Sequence, residues 1–179
     1  MRPYTIQLHR HRFAVWTAGR AVARNFASAK HVEAAITAAG LRKAVEADKV
    51  FRNQKAFDKW HVGRCEKMLK YWDKHSEGVK EHSFGRAAKV IAIYLKAMIG
   101  LGEIDAHPMQ KWMHPPIDRI LLDNMRTDLG YTIKELPNWT QLDVDGYSEV
   151  LKRISDWMQA NRKGADLWEV EEFWAADVD

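Results

Sequence analysis

The sequence is poor in the residues that mark several common protein classes. Its 179 residues include one cysteine, ten glycines and five prolines. A lone cysteine excludes a disulfide scaffold, and so little glycine and proline excludes collagen-like and low-complexity chains. Because Cys65 has no partner within the chain, we expect a reducing compartment and a cytoplasmic location.

Long apolar runs are also missing. The longest mostly apolar stretch, residues 87–101, is interrupted by Lys89 and Lys96, so it is too short and too charged to span a bilayer. The first residues lack the apolar segment that is typical of a signal peptide. We therefore expect a soluble protein with no membrane partner. A chain of this length can bury about two thirds of its unfolded surface, so we expect one domain over residues 1–179.

Charge is distributed unevenly along the chain, although the total is only mildly basic. There are 28 Lys and Arg against 24 Asp and Glu, a net charge of +4. Residues 1–32 carry six cationic side chains and no acidic one, whereas residues 164–179 carry six acidic side chains and no cationic one. Such a distribution indicates either an anionic partner for the basic segment or two protein faces that attract each other.

Apolar residues recur at helical spacing through most of the chain, with no convincing alternation of period two. The sequence therefore predicts an all-α fold, a compact bundle of seven or eight helices in one lobe or in two interleaved lobes. The predicted helices are residues 8–26, 28–39, 41–47, a longer helix that begins at residue 53, residues 84–99, residues 115–129, and two helices that begin at residues 143 and 166. We expect the helix over 84–99 to be central, because it is apolar on most sides.

The inner face of the first predicted helix is assigned to its largest apolar residues, which are Phe13, Trp16, Val22 and Phe26. The last predicted helix begins with a capping box, because Glu169 follows Asp166 at the required spacing. The eight tryptophans mostly lie at helical spacing with other apolar residues, so most of them are expected in the core.

The segment over residues 107–118 holds most of the reactive side chains. It contains His107, Trp112 and His114, and Asp118 follows two prolines that are typical of a helix start. In the first turn of a helix, unpaired N–H groups and the helix dipole favour an ionised carboxylate. Asp118 therefore either only caps its helix, or stabilises a nearby cation or orients a water molecule.

Five potential metal ligands also occur in this region, namely Glu103, Asp105, His107, His114 and Asp118. Their spacing is irregular, and the sequence has no His-x-x-x-His or Cys-x-x-Cys pair. A metal-dependent hydrolase that uses residues 103–118 is thus an alternative, but we expect no resident metal and no cofactor. Cys65 lies on an apolar helix side, which favours a buried structural thiol over a nucleophile.

Two segments together resemble the core of the helix-hairpin-helix DNA glycosylases. Residues 85–95 read GRAAKVIAIYL, and residues 116–130 read PIDRILLDNMRTDLG. In that family a glycine-containing hairpin leads into a buried helix, and a Pro-Val-Asp-like motif opens the next helix with the catalytic carboxylate, which Asp118 matches. The resemblance implies a helix-hairpin-helix-like element and an enzyme that binds DNA and hydrolyses the N-glycosidic bond of a damaged or modified base. The lysine of its bifunctional members falls at Ala87, so it implies a monofunctional glycosylase.

Binding roles follow from the same resemblance and from the basic segment. The residues expected to contact DNA are Gly85, Arg86, Lys89, Arg10 and Arg12. Trp112 and His114, which are close to Asp118 in sequence, are expected to line a pocket for the extruded base. A non-catalytic helical module that binds nucleic acid or another partner is the main alternative.

Overall fold

Seven α-helices make up most of the computed structural model, which describes residues 4–22, 26–75, 77, 79–100 and 107–174. The helices are α1 (Ile6–Val22), α2 (Ala29–Ala38), α3 (Leu41–Glu46), α4 (Gln54–Lys74), α5 (Phe84–Leu95), α6 (Arg119–Asn124) and α7 (Val144–Asn161). A π-helical turn, Lys96–Gly100, continues α5, and short 3₁₀ helices cover Gln110–Trp112, Trp139–Gln141 and Leu167–Phe173. These ranges contain no strand beyond one isolated bridge between Ala27 and Val79. The all-α prediction is confirmed.

Side-chain caps explain where several helices begin. Ser28, Asn53, Ser83, Asp118 and Asp143 each accept a hydrogen bond from the backbone N–H three residues further on. Each such bond satisfies one of the donors that have no partner within the helix. The helix starts predicted near residues 28, 53 and 143 are confirmed, and the predicted capping box of Asp166 with Glu169 opens the last 3₁₀ helix.

Helix α5 is the central element of the fold. It packs against α1, α2, α4 and α7, and ten of its twelve residues are buried. Val90, Ile91 and Tyr94 are completely buried. The expected central position of this segment is therefore confirmed. No described helix combines the length and the apolar character that a membrane span requires.

Helix α1 differs from the prediction, because it begins at Ile6 and Phe26 lies outside it. Its buried residues are His11, Ala14, Val15, Ala18, Gly19 and Val22. Phe13 is 43% exposed and Trp16 is 57% exposed, so their assignment to the inner face is wrong. The reason is steric, since small side chains allow α1 to lie close to its neighbours; a Cβ on Gly19 would already touch Ala29 at 3.8 Å.

Helix α6 is shorter than predicted, because it ends at Asn124 and turns cover the remaining residues to Gly130. Asp118 is the N-cap of this helix and lies just before its first turn. Leu121, Met125 and Leu129 are nevertheless buried, so the apolar spacing continues through the turns.

The start of α5 lies unusually close to another segment. A Cβ added to Gly85 would lie 2.1 Å from the carbonyl oxygen of Trp139, and the Gly85 N–H donates to the Leu142 carbonyl at 3.0 Å. Only glycine fits this contact, which holds the 139–142 segment against α5.

We predict opposite effects of alanine at two helical glycines. Gly85→Ala should reduce the free energy of unfolding by about 1–3 kcal/mol, because the backbone of Trp139 would have to move. Gly63→Ala, with no atom within 4 Å of the added Cβ, should raise it by about 0.5–1 kcal/mol through the higher helix propensity of alanine. Urea unfolding measures both changes. A Gly85→Ala variant as stable as Gly63→Ala would contradict the close contact.

Candidate active site

Asp118 is a buried carboxylate at which three parts of the fold meet. The residue is 5% exposed. Its Oδ1 accepts a hydrogen bond from the Leu121 N–H at 3.1 Å. Its Oδ2 lies 3.0 Å from the Lys89 Nζ and accepts a hydrogen bond from the Trp174 Nε1 at 2.9 Å. Because a buried charge is costly without partners, these three contacts are what allow the carboxylate to remain inside the protein.

Lys89 supplies the positive partner from the middle of α5. The residue is 8% exposed, and its Nζ lies 4.4 Å from the centroid of the Trp139 ring. The carboxylate and the face of the indole both stabilise an ammonium group at this position. Lys89 was expected to contact DNA, and in the structure its Nζ is directed to Asp118.

Gly85 and Arg86 fix the position of Trp139 in this structure. The N–H of Gly85, a residue that was expected to contact DNA, donates to the carbonyl of Leu142. The Arg86 guanidinium lies 4.8 Å from the Phe26 ring centroid and 5.8 Å from that of Trp139. Both residues therefore support the aromatic wall beside Lys89.

An open cleft of about 510 Å³ adjoins the Asp118–Lys89 pair. We call it the Asp118 cleft. Besides the pair itself, its lining includes Thr17, Arg20, Arg119, Ile120, Trp139 and Trp174. The cleft thus combines a carboxylate, cationic side chains and two indole rings, which suits a ligand that is both anionic and aromatic.

Trp112 and His114 do not line the Asp118 cleft. Trp112 borders a separate cavity of about 270 Å³, and His114 borders a third cavity of about 240 Å³ together with Asp58 and Tyr147. The reason is that residues 113–118 are all buried outside any helix, which carries His114 away from the start of α6. Closeness in sequence to Asp118 therefore did not identify the residues that are close in space.

The arginines of α1 differ in their position relative to the Asp118 cleft. Arg12 is exposed, with its guanidinium 5.2 Å from the Tyr4 ring centroid, and Arg10 is half-buried. Neither lines the Asp118 cleft, whereas Arg20 of the same helix does. Arg2 and Arg24 of the basic segment lie outside the described residues.

The five potential metal ligands do not converge where they are described. His107 Nε2 lies 3.3 Å from the Val45 carbonyl oxygen, and His114 Nε2 lies 2.9 Å from Asp58 Oδ1. Across the described ranges, no three histidine, cysteine or acidic side chains form a cluster that fits a metal ion. Glu103 and Asp105 lie outside those ranges.

A second polar cluster lies between α4 and α7, and it is more deeply buried. His114 Nδ1 lies 3.2 Å from the Tyr147 hydroxyl, and the His61 ring stacks on Tyr147 with centroids 5.6 Å apart. Burial, reinforced by the neighbouring His114, holds the pKa of His61 well below its usual range. Burial also raises the pKa of Cys65, which lies beside His61, so this thiol is poorly reactive.

Comparison with protein-family models, with curated proteins and with solved structures gives no significant match for this chain. The residues and their geometry are therefore the basis for assigning a function. Two of the residues that matter most, Trp139 and Trp174, were not singled out by the sequence. Their contacts with Lys89 and Asp118 depend on tertiary packing, and no local pattern indicated them.

We predict that His61 makes the protein less stable in acid. Its pKa is lower in the folded protein than the ordinary value of 6.5, so below pH 6.5 the unfolded chain binds a proton that the folded protein does not. The free energy of unfolding should therefore fall with decreasing pH, by up to about 1.4 kcal/mol per pH unit for this group. His61→Gln should flatten this dependence in urea unfolding between pH 7 and pH 5.

The matched control is His75→Gln, because His75 is an exposed histidine at the end of the same helix. The slope of His61→Gln is compared with the slope of this variant. An equal slope for the wild type and His61→Gln would show that His61 does not resist protonation in the folded protein.

Proposed function

We propose that this protein is a DNA-processing enzyme that cleaves the N-glycosidic bond of a damaged or modified base, with Asp118 as its catalytic carboxylate. One observation carries the proposal: the buried Asp118–Lys89 pair adjoins an open cleft lined by Trp139 and Trp174. This is the arrangement that the chemistry of base excision needs, namely a fixed charge beside a space that admits an aromatic base.

The partners of Asp118 favour a role beyond helix capping. A cap needs a single acceptor oxygen, and Ser83 and Asn53 meet that need for α5 and α4. Asp118 uses Oδ1 for the cap and Oδ2 for Lys89 and Trp174. A buried ion pair is often no more stabilising than well-packed apolar residues, so stability alone is a weak reason to have one here.

The charge of Asp118 suits the transition state of glycosidic bond cleavage. As the bond to the base breaks, the sugar becomes an oxocarbenium-like cation. A carboxylate that is already oriented stabilises this cation without reorganisation during the reaction. The N–H of Leu121 and the indole of Trp174 supply that orientation, because each fixes one oxygen of Asp118.

The aromatic lining of the cleft suits an extruded base. Taking a base out of the duplex costs a few kcal/mol, and stacking on an aromatic side chain returns about 1–3 kcal/mol per base. Trp139 and Trp174, both half-buried and both in the cleft lining, are suited to this stacking. Arg20 and Arg119 on the same lining are suited to the flanking phosphates, which position the strand without reading its sequence.

Lys89 gives a reason to extend the proposal by a second step. Ala87, at the position implied for the lysine of bifunctional members, is completely buried and offers no amine. Lys89 instead brings its Nζ to 3.0 Å from Asp118. An ammonium that passes its proton to the departing base becomes a neutral amine, and this amine can attack the C1′ carbon of the sugar. Opening of the sugar ring then gives an imine with Lys89, and loss of a C2′ proton from this imine expels the 3′-phosphate, so the second candidate is a glycosylase that also cleaves the strand.

We predict that Asp118→Asn lowers base release by a factor of about 100 or more, because the amide keeps the shape but removes the negative charge. The assay measures base release from oligonucleotides that carry a panel of damaged and modified bases. Asp128→Asn is the control, since Asp128 is an exposed carboxylate just beyond α6 that does not line the Asp118 cleft. Because Asp118→Asn also leaves Lys89 without its carboxylate, circular dichroism must show that the variant is folded at the assay temperature.

Lys89 is tested on a duplex that already contains an abasic site, so the identity of the base does not matter. With borohydride, the wild type should form a covalent adduct through Lys89, and Lys89→Gln should form none. Lys96→Gln, which removes a partly exposed lysine just after α5, should retain the adduct. Base release without any adduct would favour the monofunctional enzyme. Equal base release by the wild type and Asp118→Asn would remove Asp118 from the site, whereas DNA binding by both forms without base release by either would favour the non-catalytic module.

A further inference from the structure

The outer face of α1 presents two large aromatic rings to solvent. Phe13 and Trp16 are 43% and 57% exposed, and their ring centroids lie 6.0 Å apart. The planes of the two rings differ by only 32°. Since the opposite side of α1 is built from small residues that pack on the core, these two rings contribute little to the packing of the helix.

The same face of α1 is positively charged. Arg20 follows Phe13 by seven residues and Trp16 by four, so all three side chains lie along one side of the helix. Helix α1 contains no acidic residue. Within the described part of the chain, no carboxylate lies within ion-pair distance of Arg10, Arg12 or Arg20.

This face also leads directly to the Asp118 cleft. Thr17 and Arg20 belong to the cleft lining, one and four residues beyond Trp16. An extended strand that lies along α1 over the two rings would therefore reach the Asp118–Lys89 pair one helical turn beyond Trp16.

We infer that the Phe13–Trp16–Arg20 face binds an unpaired stretch of nucleic acid. Proteins that bind single strands combine positive charge, which follows the backbone, with aromatic side chains on which successive bases stack. The two exposed rings meet the second need, and Arg20 with the acid-free helix meets the first. A paired duplex keeps its bases stacked on each other, so it cannot use the two rings in this way.

This inference rests on the proposed function only in stating that the strand continues into the Asp118 cleft. Binding of the strand to α1 does not depend on that function. It names a substrate class: unpaired segments such as single strands, bulges or junctions, in preference to fully paired duplex. The reactive base would lie in the Asp118 cleft while neighbouring bases stack on Phe13 and Trp16.

The test compares binding of a dye-labelled single-stranded oligonucleotide of mixed sequence with binding of the matching duplex, by fluorescence polarisation at low salt. We expect the wild type to bind the single strand more tightly. The double variant Phe13→Ser/Trp16→Ser should weaken single-strand binding at least tenfold and duplex binding much less. Arg20→Gln should weaken single-strand binding. It should also reduce the slope of log affinity against log salt concentration by about the contribution of one released counterion.

The control is Val50→Ser/Ile133→Ser, which removes two exposed apolar residues outside α1, 74% and 69% exposed. It should change the affinity by less than twofold. All substituted side chains are exposed, so circular dichroism should show unchanged folding in every variant.

Three results would overturn the inference: no single-strand binding by the wild type, unchanged binding in the double variant, or self-association that the double variant abolishes while oligonucleotide binding persists. The last result would assign the face to a second copy of the chain. The binding assay needs no catalysis. Failure of base release would therefore count against the proposed function alone, and unchanged binding in the double variant against this face alone.

Discussion

The Asp118 carboxylate is the interaction on which the arrangement of this site depends. It is buried, and it is shared by the amide of Leu121, the ammonium of Lys89 and the indole of Trp174. These partners belong to α6, α5 and the segment that follows the last 3₁₀ helix. A buried charge that loses one partner becomes costly, so the position of each segment is coupled to the other two. The Asp118 cleft exists where these segments meet α1.

The same coupling extends to the aromatic wall of the cleft. Gly85 allows the backbone of Trp139 to approach α5, and the Trp139 ring then covers the Lys89 ammonium. A glycine at the start of one helix thus determines the surroundings of a lysine one turn later. The site is consequently built by packing around α5, the most buried helix, and not by a flexible loop.

Much of the fold was predictable because its causes are local. Ser28, Asn53 and Asp143 each cap a helix through a bond to the third residue beyond, and such spacing can be read directly in the sequence. Burial of α5 followed from its apolar residues on several sides. The position of Phe13 and Trp16 could not be read in this way. Hydrophobic size predicted burial, whereas small residues form the contact surface of α1.

The candidate site was predictable only in part, because patterns in the sequence indicate local contacts and not tertiary ones. Asp118 was identified because its place at a helix start is a local property. Its partners are distant along the chain, since Lys89 precedes it by 29 residues and Trp174 follows it by 56 residues. Trp112 and His114 are near in sequence but line other cavities. Tertiary packing selects the partners of a buried charge, and no spacing rule in a single sequence encodes that choice.

The claim that Asp118 faces a developing sugar cation can be tested without knowing the base. Two duplexes are compared, one with a positively charged pyrrolidine in place of a deoxyribose and one with a neutral tetrahydrofuran of the same shape. Since a catalytic site binds a mimic of its transition state more tightly than a neutral analogue, the wild type should prefer the pyrrolidine duplex by tenfold or more. This preference should disappear in Asp118→Asn. Equal affinities for the two duplexes in the wild type, or an undiminished preference in Asp118→Asn, would contradict the role of Asp118 in catalysis.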